Sequence, residues 1–183
     1  MDHDIQIDTP RLWLRSWRNA DVELYDRACN TPAVMRWLGD VDTRKELESD
    51  VEFFIESEAD EGLTYWVVER KADRAFLGIC GLIRIPDDEG PASGELEIGW
   101  RLREDAWRCG YGYEAATAVL NYAFKHKAVR VIFARTSNEN VASINLMRKL
   151  GLRHIAAFDY IPEGDDDVLL TYVLRRAGWQ HRI

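Results

Sequence analysis

The chain has 183 residues, 46% hydrophobic and 31% charged, enough for one domain with its own core. Its net charge of −8, from 24 basic and 32 acidic residues, argues against nucleic acid or an anionic membrane as the main partner. No apolar run approaches the roughly 20 residues of a membrane helix, and MDHDIQIDTP, Met1 to Pro10, lacks the basic and apolar parts of a signal peptide, so the expected location is cytoplasmic.

Arg11 to Trp17, RLWLRSW, alternates unevenly and predicts a strand. Asn19 is a cap for a helix running to about Cys29. Thr31 before Pro32 predicts a short helix to Leu38, with proline at its first position. Thr43 and Glu46 have capping-box spacing for a long helix ending near Gly62, with Leu47, Val51, Phe54 and Ile55 facing inward. Thr64 to Arg70 and Ala75 to Ile85 read as a hairpin around the turn KADR. A polar loop, PDDEGPASG, leads into a strand from Gly94 to Leu102. A glycine turn then opens a helix to about Lys127, with Ala116, Val119, Leu120, Ala123 and Phe124 on one face. Val129 to Ser137 reads as a buried strand, and Asn140 caps a helix that closes on Gly151. Leu152 to Tyr160 predicts a strand, IPEGDDD an acidic loop, and Val168 to Arg176 the last strand. No linker, repeat or low-complexity segment divides the chain. The expectation is a single α/β domain over 1–183, with a mixed sheet and at least one parallel crossover.

Cys29, Cys80 and Cys109 are odd in number and far apart, which predicts free thiols rather than disulfides or a zinc set. His3, His126, His154 and His181 are scattered, so no metal site is expected.

The segment WRCGYGYEA, Trp107 to Ala115, sets Gly110 and Gly112 between a strand and a helix. A helix N-terminus carries N–H groups without partners and a partial positive charge. A glycine entry lets backbone approach an anion closely. The amides of Cys109 to Tyr113 can thus cradle a pyrophosphate; taken alone, the segment reads equally well as a tight turn. A P-loop would need Lys and then Ser or Thr after the glycines, and neither follows. A dinucleotide fold places its glycines in the first strand-helix unit, whereas this turn lies past the midpoint behind a hairpin.

A second segment, ARTSNENVASINLMRKLGL from Ala134 to Leu152, follows one helix later. With TPRLWLRSW, FLGICGL, ELEIGW, WRCGYGYEA and the closing GDDDVLLTYVLRRAGW, it covers nearly the whole chain. In that order these stretches resemble the GNAT superfamily of acetyl-coenzyme A-dependent N-acetyltransferases. They are most similar to the branch holding the ribosomal-protein N-terminal acetyltransferases RimJ and RimL. The resemblance implies a mixed, mostly antiparallel sheet of about seven strands flanked by helices, with splayed central parallel strands. It implies acetyl-CoA as cosubstrate and no metal. Its partner would be an amine, either a protein or peptide N-terminal α-amine or a small amine, with no nucleic acid or membrane partner. Members of the branch often form dimers, so a homodimer is compatible with it.

The resemblance also carries roles. The turn of Arg108, Cys109, Gly110, Tyr111, Gly112 and Tyr113 would hold the pyrophosphate through backbone amides. Trp107 stands where the superfamily usually has Gln or Arg. Backbone of Trp100, Arg101 and Leu102 would pair with pantetheine, and one of these amides would also stabilise the thioester oxygen. Asn140 would touch the pantetheine or phosphate region, besides capping its helix. Lys149 and Arg148 are candidates for the 3′-phosphate; both also suit a solvated surface.

The chemistry is attack of a neutral amine on the acetyl carbonyl in a ternary complex. An α-amine has a pKa near 8 against about 10.4 for lysine, so it needs less help in losing its proton. Glu97 is the first choice of base, with Gly99 and Arg101 on its strand face and Glu95 in reserve; it also suits a structural ion pair. Met147 occupies the place of a tyrosine acid found in many members, which leaves Ser143 as the substitute acid or as a small packing residue. Glu163, Asp165, Asp166 and Asp167 would steer a cationic acceptor, or form a solvated turn. Trp37 and Tyr65 would line its groove, or the core. Two other functions fit less of the pattern: an inactive acyl-CoA-binding sensor or scaffold, and a plain interaction domain.

Overall fold

A computed structural model describes residues 5–127, 129–164 and 167–180. Two compact units share the chain: residues up to 82 with 99–119, and 83–98 with residues from 120 onward. His3, His181, Asp165 and Asp166 lie outside the described residues.

In the first unit, β1 (Ile5–Asp8) and β2 (Leu12–Arg15) pair antiparallel, with Ile7 opposite Leu14. β2 pairs antiparallel with β3 (Tyr65–Arg70), and β3 with β4 (Phe76–Arg84). β1 is an addition to the predicted elements; its four residues, IQID, are too short to show a period. Helices α1 (Asp21–Cys29), α2 (Pro32–Met35) and α3 (Arg44–Glu61) join the two hairpins. The α3 capping box forms as its spacing predicts, and Gly62 ends the helix in the left-handed conformation with φ 62°. Leu47, Val51 and Phe54 are buried along one stripe, whereas Ile55, expected inward, is 39% exposed because it lies one step round the helix from Phe54.

Asn19 does not cap α1. The cap position is Ala20, with no side-chain bond, and buried Asp21 takes the Arg18 amide at 2.8 Å. Asp21 is held by Arg15, which also pairs with Glu69, so a buried ion cluster decides the helix start. Trp17 anchors the unit's core, stacked on Phe54 at 5.5 Å and edge-on to Tyr25 at 5.3 Å.

The second half of β5 (Leu96–Leu102) completes this unit beside β4, where the Arg103 amide bonds Leu77 O. Gly78 is required there: with φ 140°, a Cβ would meet Arg101 O at 2.1 Å.

In the second unit, the start of β5 lies beside the end of β4, through bonds between Ile85 and Gly94 and between Ile85 and Glu95. Its Glu97 is in register with Phe133 of β6 (Val131–Ser137), the sheet's parallel pair. That ladder is short for two seven-residue strands. β6 pairs along its whole length with β8 (Leu169–Arg175), and β7 (Arg153–His154) adds to the far side of β8. Helix α4 (Tyr111–His126) begins in the first unit and ends in the second, and α5 (Val141–Leu150) links β6 to β7. A short α6 (Arg176–Gln180) packs Trp179 against α4 through a 2.9 Å bond to Asn121. The strand order is β1-β2-β3-β4-β5-β6-β8-β7, so among the described residues the sheet has eight strands, mostly antiparallel, in keeping with the expected mixed sheet of about seven.

The predicted strand from Leu152 to Tyr160 shrinks to two residues. Ala156–Phe158 forms a 3-10 turn, and Asp159 folds back to His154 and to the Thr171 amide. Phe158 turns inward onto Phe133, ring centroids 5.1 Å apart. Burial of that aromatic outweighs continuation of the ladder.

Candidate active site

Beyond β5 the chain makes a 3-10 turn, Glu104–Ala106, and reaches the glycine segment. The Trp107 indole N–H bonds Leu102 O at 2.7 Å, fastening the segment to the strand it leaves. Arg108 and Gly110 both have left-handed φ, 59° and 83°. Two such residues in three reverse the chain and deliver it to the start of α4, with Cys109 exposed at the bend. Gly110 O takes the Glu114 amide at 3.0 Å as the first helical bond. The first-turn amides between them have no acceptor within the helix. Gly110 is needed for its φ, and Gly112 lies one residue inside the helix.

Trp100, Arg101 and Leu102 form the end of β5 in the same unit. Leu102 is buried and Trp100 partly so. The Arg101 guanidinium lies 5.5 Å from the Tyr25 ring and 3.6 Å from Asp42, and the Cys29 thiol donates to Arg101 O at 3.7 Å. Tyr65 packs against the edge of this strand: a Cβ on Gly99 would meet its hydroxyl at 2.5 Å. Trp37 is partly buried beneath Arg36, 4.7 Å above its ring.

Glu97 is on β5 in the second unit and is not free. Arg135 donates to both of its oxygens, through Nη2 at 2.9 Å and Nε at 3.2 Å, and the Arg135 amide adds a bond of 2.9 Å. The same guanidinium holds Glu89 of the β4–β5 loop at 2.7 Å. Burial works against the Arg135 charge, but the two carboxylates outweigh it and raise its pKa. Glu95, the reserve candidate, is exposed. An ionised carboxylate has about four lone-pair sites. Three hydrogen bonds to Glu97 leave one on Oε2, enough to accept from an amine or a water.

Asn140 caps α5, its Oδ1 taking the Ser143 amide at 3.2 Å. Ser143 is partly buried on the first turn. Met147, one turn on, is 2% exposed and packs in the core. Arg148 and Lys149 are exposed in the last turn. Glu163 and Asp167 are exposed. The candidates thus form two groups: the glycine turn with Trp100–Leu102 in the first unit, and Glu97, Asn140, Ser143 and Lys149 in the second. Among the described residues no His, Cys, Asp or Glu group could hold a metal ion, and no helix is long and apolar enough to cross a membrane.

Two sets of partners escaped the sequence reading. Thr9 and Arg11 fasten Glu114 in the first turn of α4. Arg135 fastens Glu97 and Glu89. An acid in the first turn of a helix and an arginine inside an apolar strand were the available signals. Neither names its partner.

A family model described as the acetyltransferase (GNAT) domain matches residues 11–153. The Bacillus subtilis protein YkkB is 27% identical over 155 residues, 84% of this chain and 88% of its own. Spermidine N-acetyltransferase from Vibrio cholerae, solved with CoA and spermine, is similar at a TM-score of 0.74 and 16% identity, over 94% of this chain and 99% of that one. RimL, a ribosomal L7/L12 alpha-N-protein acetyltransferase solved in its apo form, is similar at a TM-score of 0.75 and 15% identity, over 96% and 97%. At these identities the two structures speak for the fold.

Proposed function

The chain belongs to the GNAT acetyltransferase family and is an N-acetyltransferase, and on that premise we propose that it moves an acetyl group from acetyl-CoA to a primary amine in one ternary complex. The observation that carries this reading is the turn at Arg108–Gly110, whose two left-handed residues lead exposed backbone into the N-terminus of α4. Amides of Arg108 to Tyr113 take the diphosphate, and a cradle of this kind needs Gly110. Backbone of Trp100, Arg101 and Leu102 pairs with the pantetheine arm. Asn140 keeps Nδ2 for the coenzyme, because Oδ1 is committed to the cap, and Lys149 is the candidate for the 3′-phosphate. Acetyl-CoA supplies the activated acetyl group and the thiolate leaving group.

In the reaction the amine nitrogen bonds the acetyl carbon and the carbon–sulfur bond breaks. The amine proton passes to Glu97 Oε2, directly or through water, and Ser143 donates a hydrogen bond to the departing thiolate. A backbone amide at the end of β5 stabilises charge on the carbonyl oxygen. Within the family, the order of TPRLWLRSW, ELEIGW, WRCGYGYEA and NENVASINLMRKLGL supports the RimJ/RimL-like branch, with a protein or peptide N-terminal α-amine or a small amine as acceptor. We place the reaction in the cytoplasm, in one domain over the whole chain, and a homodimer suits that branch.

Calorimetry with CoA, followed by thiol release from acetyl-CoA against a panel of peptides and small amines, tests the reading. Tight CoA binding that Gly110→Val abolishes, with release on α-amino peptides, is the expected result. CoA binding without turnover on any amine of the panel would sink the catalytic part. Equal affinity in Gly110→Val would sink the site.

A further inference from the structure

The segment TPRLWLRSW has no role in the scheme above, yet its first residues grip the glycine turn. Arg11 Nε donates to Glu114 Oε2 at 2.6 Å, and Arg11 Nη1 donates to Cys109 O at 3.0 Å. One guanidinium therefore spans the turn, from the residue before Gly110 to the residue that closes the first helical bond. The remaining carboxylate oxygen of Glu114 accepts the Thr9 hydroxyl at 2.7 Å and the Arg11 amide at 2.9 Å. Tyr111, inside the turn, lies under the same guanidinium, 4.4 Å from ring centroid to Cζ, and also bonds Arg70 of β3.

The grip is rigid at its other end. The Lys71 amide bonds Arg11 O at 2.9 Å, and Leu12, the next residue, is fully buried at the start of β2. A left-handed residue other than glycine costs about 1–2 kcal/mol, and Arg108 is one. A turn of this shape needs an outside fastening to hold its amides in one arrangement. Burial pushes the Glu114 pKa up, but the bonds from Thr9 and Arg11 outweigh it and lower it, so the acceptor of the clasp stays ionised at neutral pH.

We propose that Arg11 is a positioning residue for coenzyme binding: by bridging Cys109 O and Glu114 it sets the spacing of the amides that hold the diphosphate. The inference rests on the reading of the turn as the diphosphate site. Its signature is selectivity between ligands. A fastening that serves the diphosphate matters for CoA and is irrelevant to pantetheine, which lacks it. A fastening that serves only the fold affects both alike or neither.

The test measures Kd for CoA and for pantetheine, by tryptophan fluorescence, in wild type, Arg11→Met and Arg11→Lys, with the thermal midpoint of each. Arg11→Met removes two charge-assisted bonds and should weaken CoA about tenfold or more, with pantetheine unchanged. Arg11→Lys keeps charge but loses the planar fork, and should recover part of the CoA affinity. CoA affinity unchanged in a folded Arg11→Met variant overturns the proposal, as does an equal loss for both ligands. Wild type that binds pantetheine but gains nothing from the diphosphate of CoA overturns the reading of the turn itself, and the proposal with it.

Discussion

Arg135 and Glu97 are locked to each other across the parallel pair of the sheet: the guanidinium reaches both carboxylate oxygens, at 2.9 and 3.2 Å, and the arginine's own amide adds a third bond. The pair is 38 residues apart in sequence and nearly dry, with side chains 9% and 13% exposed. Glu97 therefore has a fixed orientation and a single lone pair to spare.

Glu97→Gln should lower kcat/KM about a hundredfold or more if that lone pair takes the amine proton. The loss should fall on turnover, with CoA affinity unchanged. A variant within about threefold of wild type would reduce Glu97 to a partner of Arg135.

Glu114 predicts an acid-sensitive clasp. Its pKa in the fold lies below the ordinary 4.5, the bonds from Thr9 and Arg11 overcoming burial. The folded state thus favours the ionised form. That stability is fully present above pH 4.5 and is lost as pH falls through the lowered value. The thermal midpoint of wild type should drop more steeply than that of Glu114→Gln between about pH 5 and pH 3. Parallel curves would show that Glu114 contributes nothing there.

At Asn140, two substitutions separate capping from binding. Asn140→Ala removes the acceptor for the Ser143 amide and should cost about 1 kcal/mol of stability. Asn140→Asp keeps an acceptor there and should fold nearly as well. Because it lacks the Nδ2 donor and adds negative charge, its CoA affinity should still fall. Undiminished affinity in the aspartate variant would confine Asn140 to its helix.

The three thiols should differ under native conditions. Burial pushes the Cys29 thiol up to about 12, and Cys80, fully buried, is raised by the same cause. Cys109 is exposed at the bend of the glycine turn. A disulfide reagent should modify one thiol quickly and leave two until unfolding. CoA, seated on that turn, should slow the fast one. Equal rates with and without CoA would count against the site.

Much of the local structure was legible in the residues. Thr43 and Glu46 announce the start of α3, Asn140 and Gly151 bound α5, and Gly110 marks the reversal into α4. Each involves groups within four residues of one another, so the chain carries both partners side by side. Asn19 and the strand after Leu152 failed where distant partners intervened: Arg15 with Asp21 and Glu69 at one, Phe158 against Phe133 at the other.

The sequence by itself determined the helices with paired caps, the alternating strands and the glycine turn that makes an anion site possible, because those features arise from neighbours along the chain. Only the tertiary structure decided what each charged residue does. Arg11 meets Glu114 across 103 residues, and Arg135 takes Glu89 and Glu97 from β5 and the loop before it. A side chain names its chemistry in the sequence, but burial requires a charge to find a partner, and the fold selects which one.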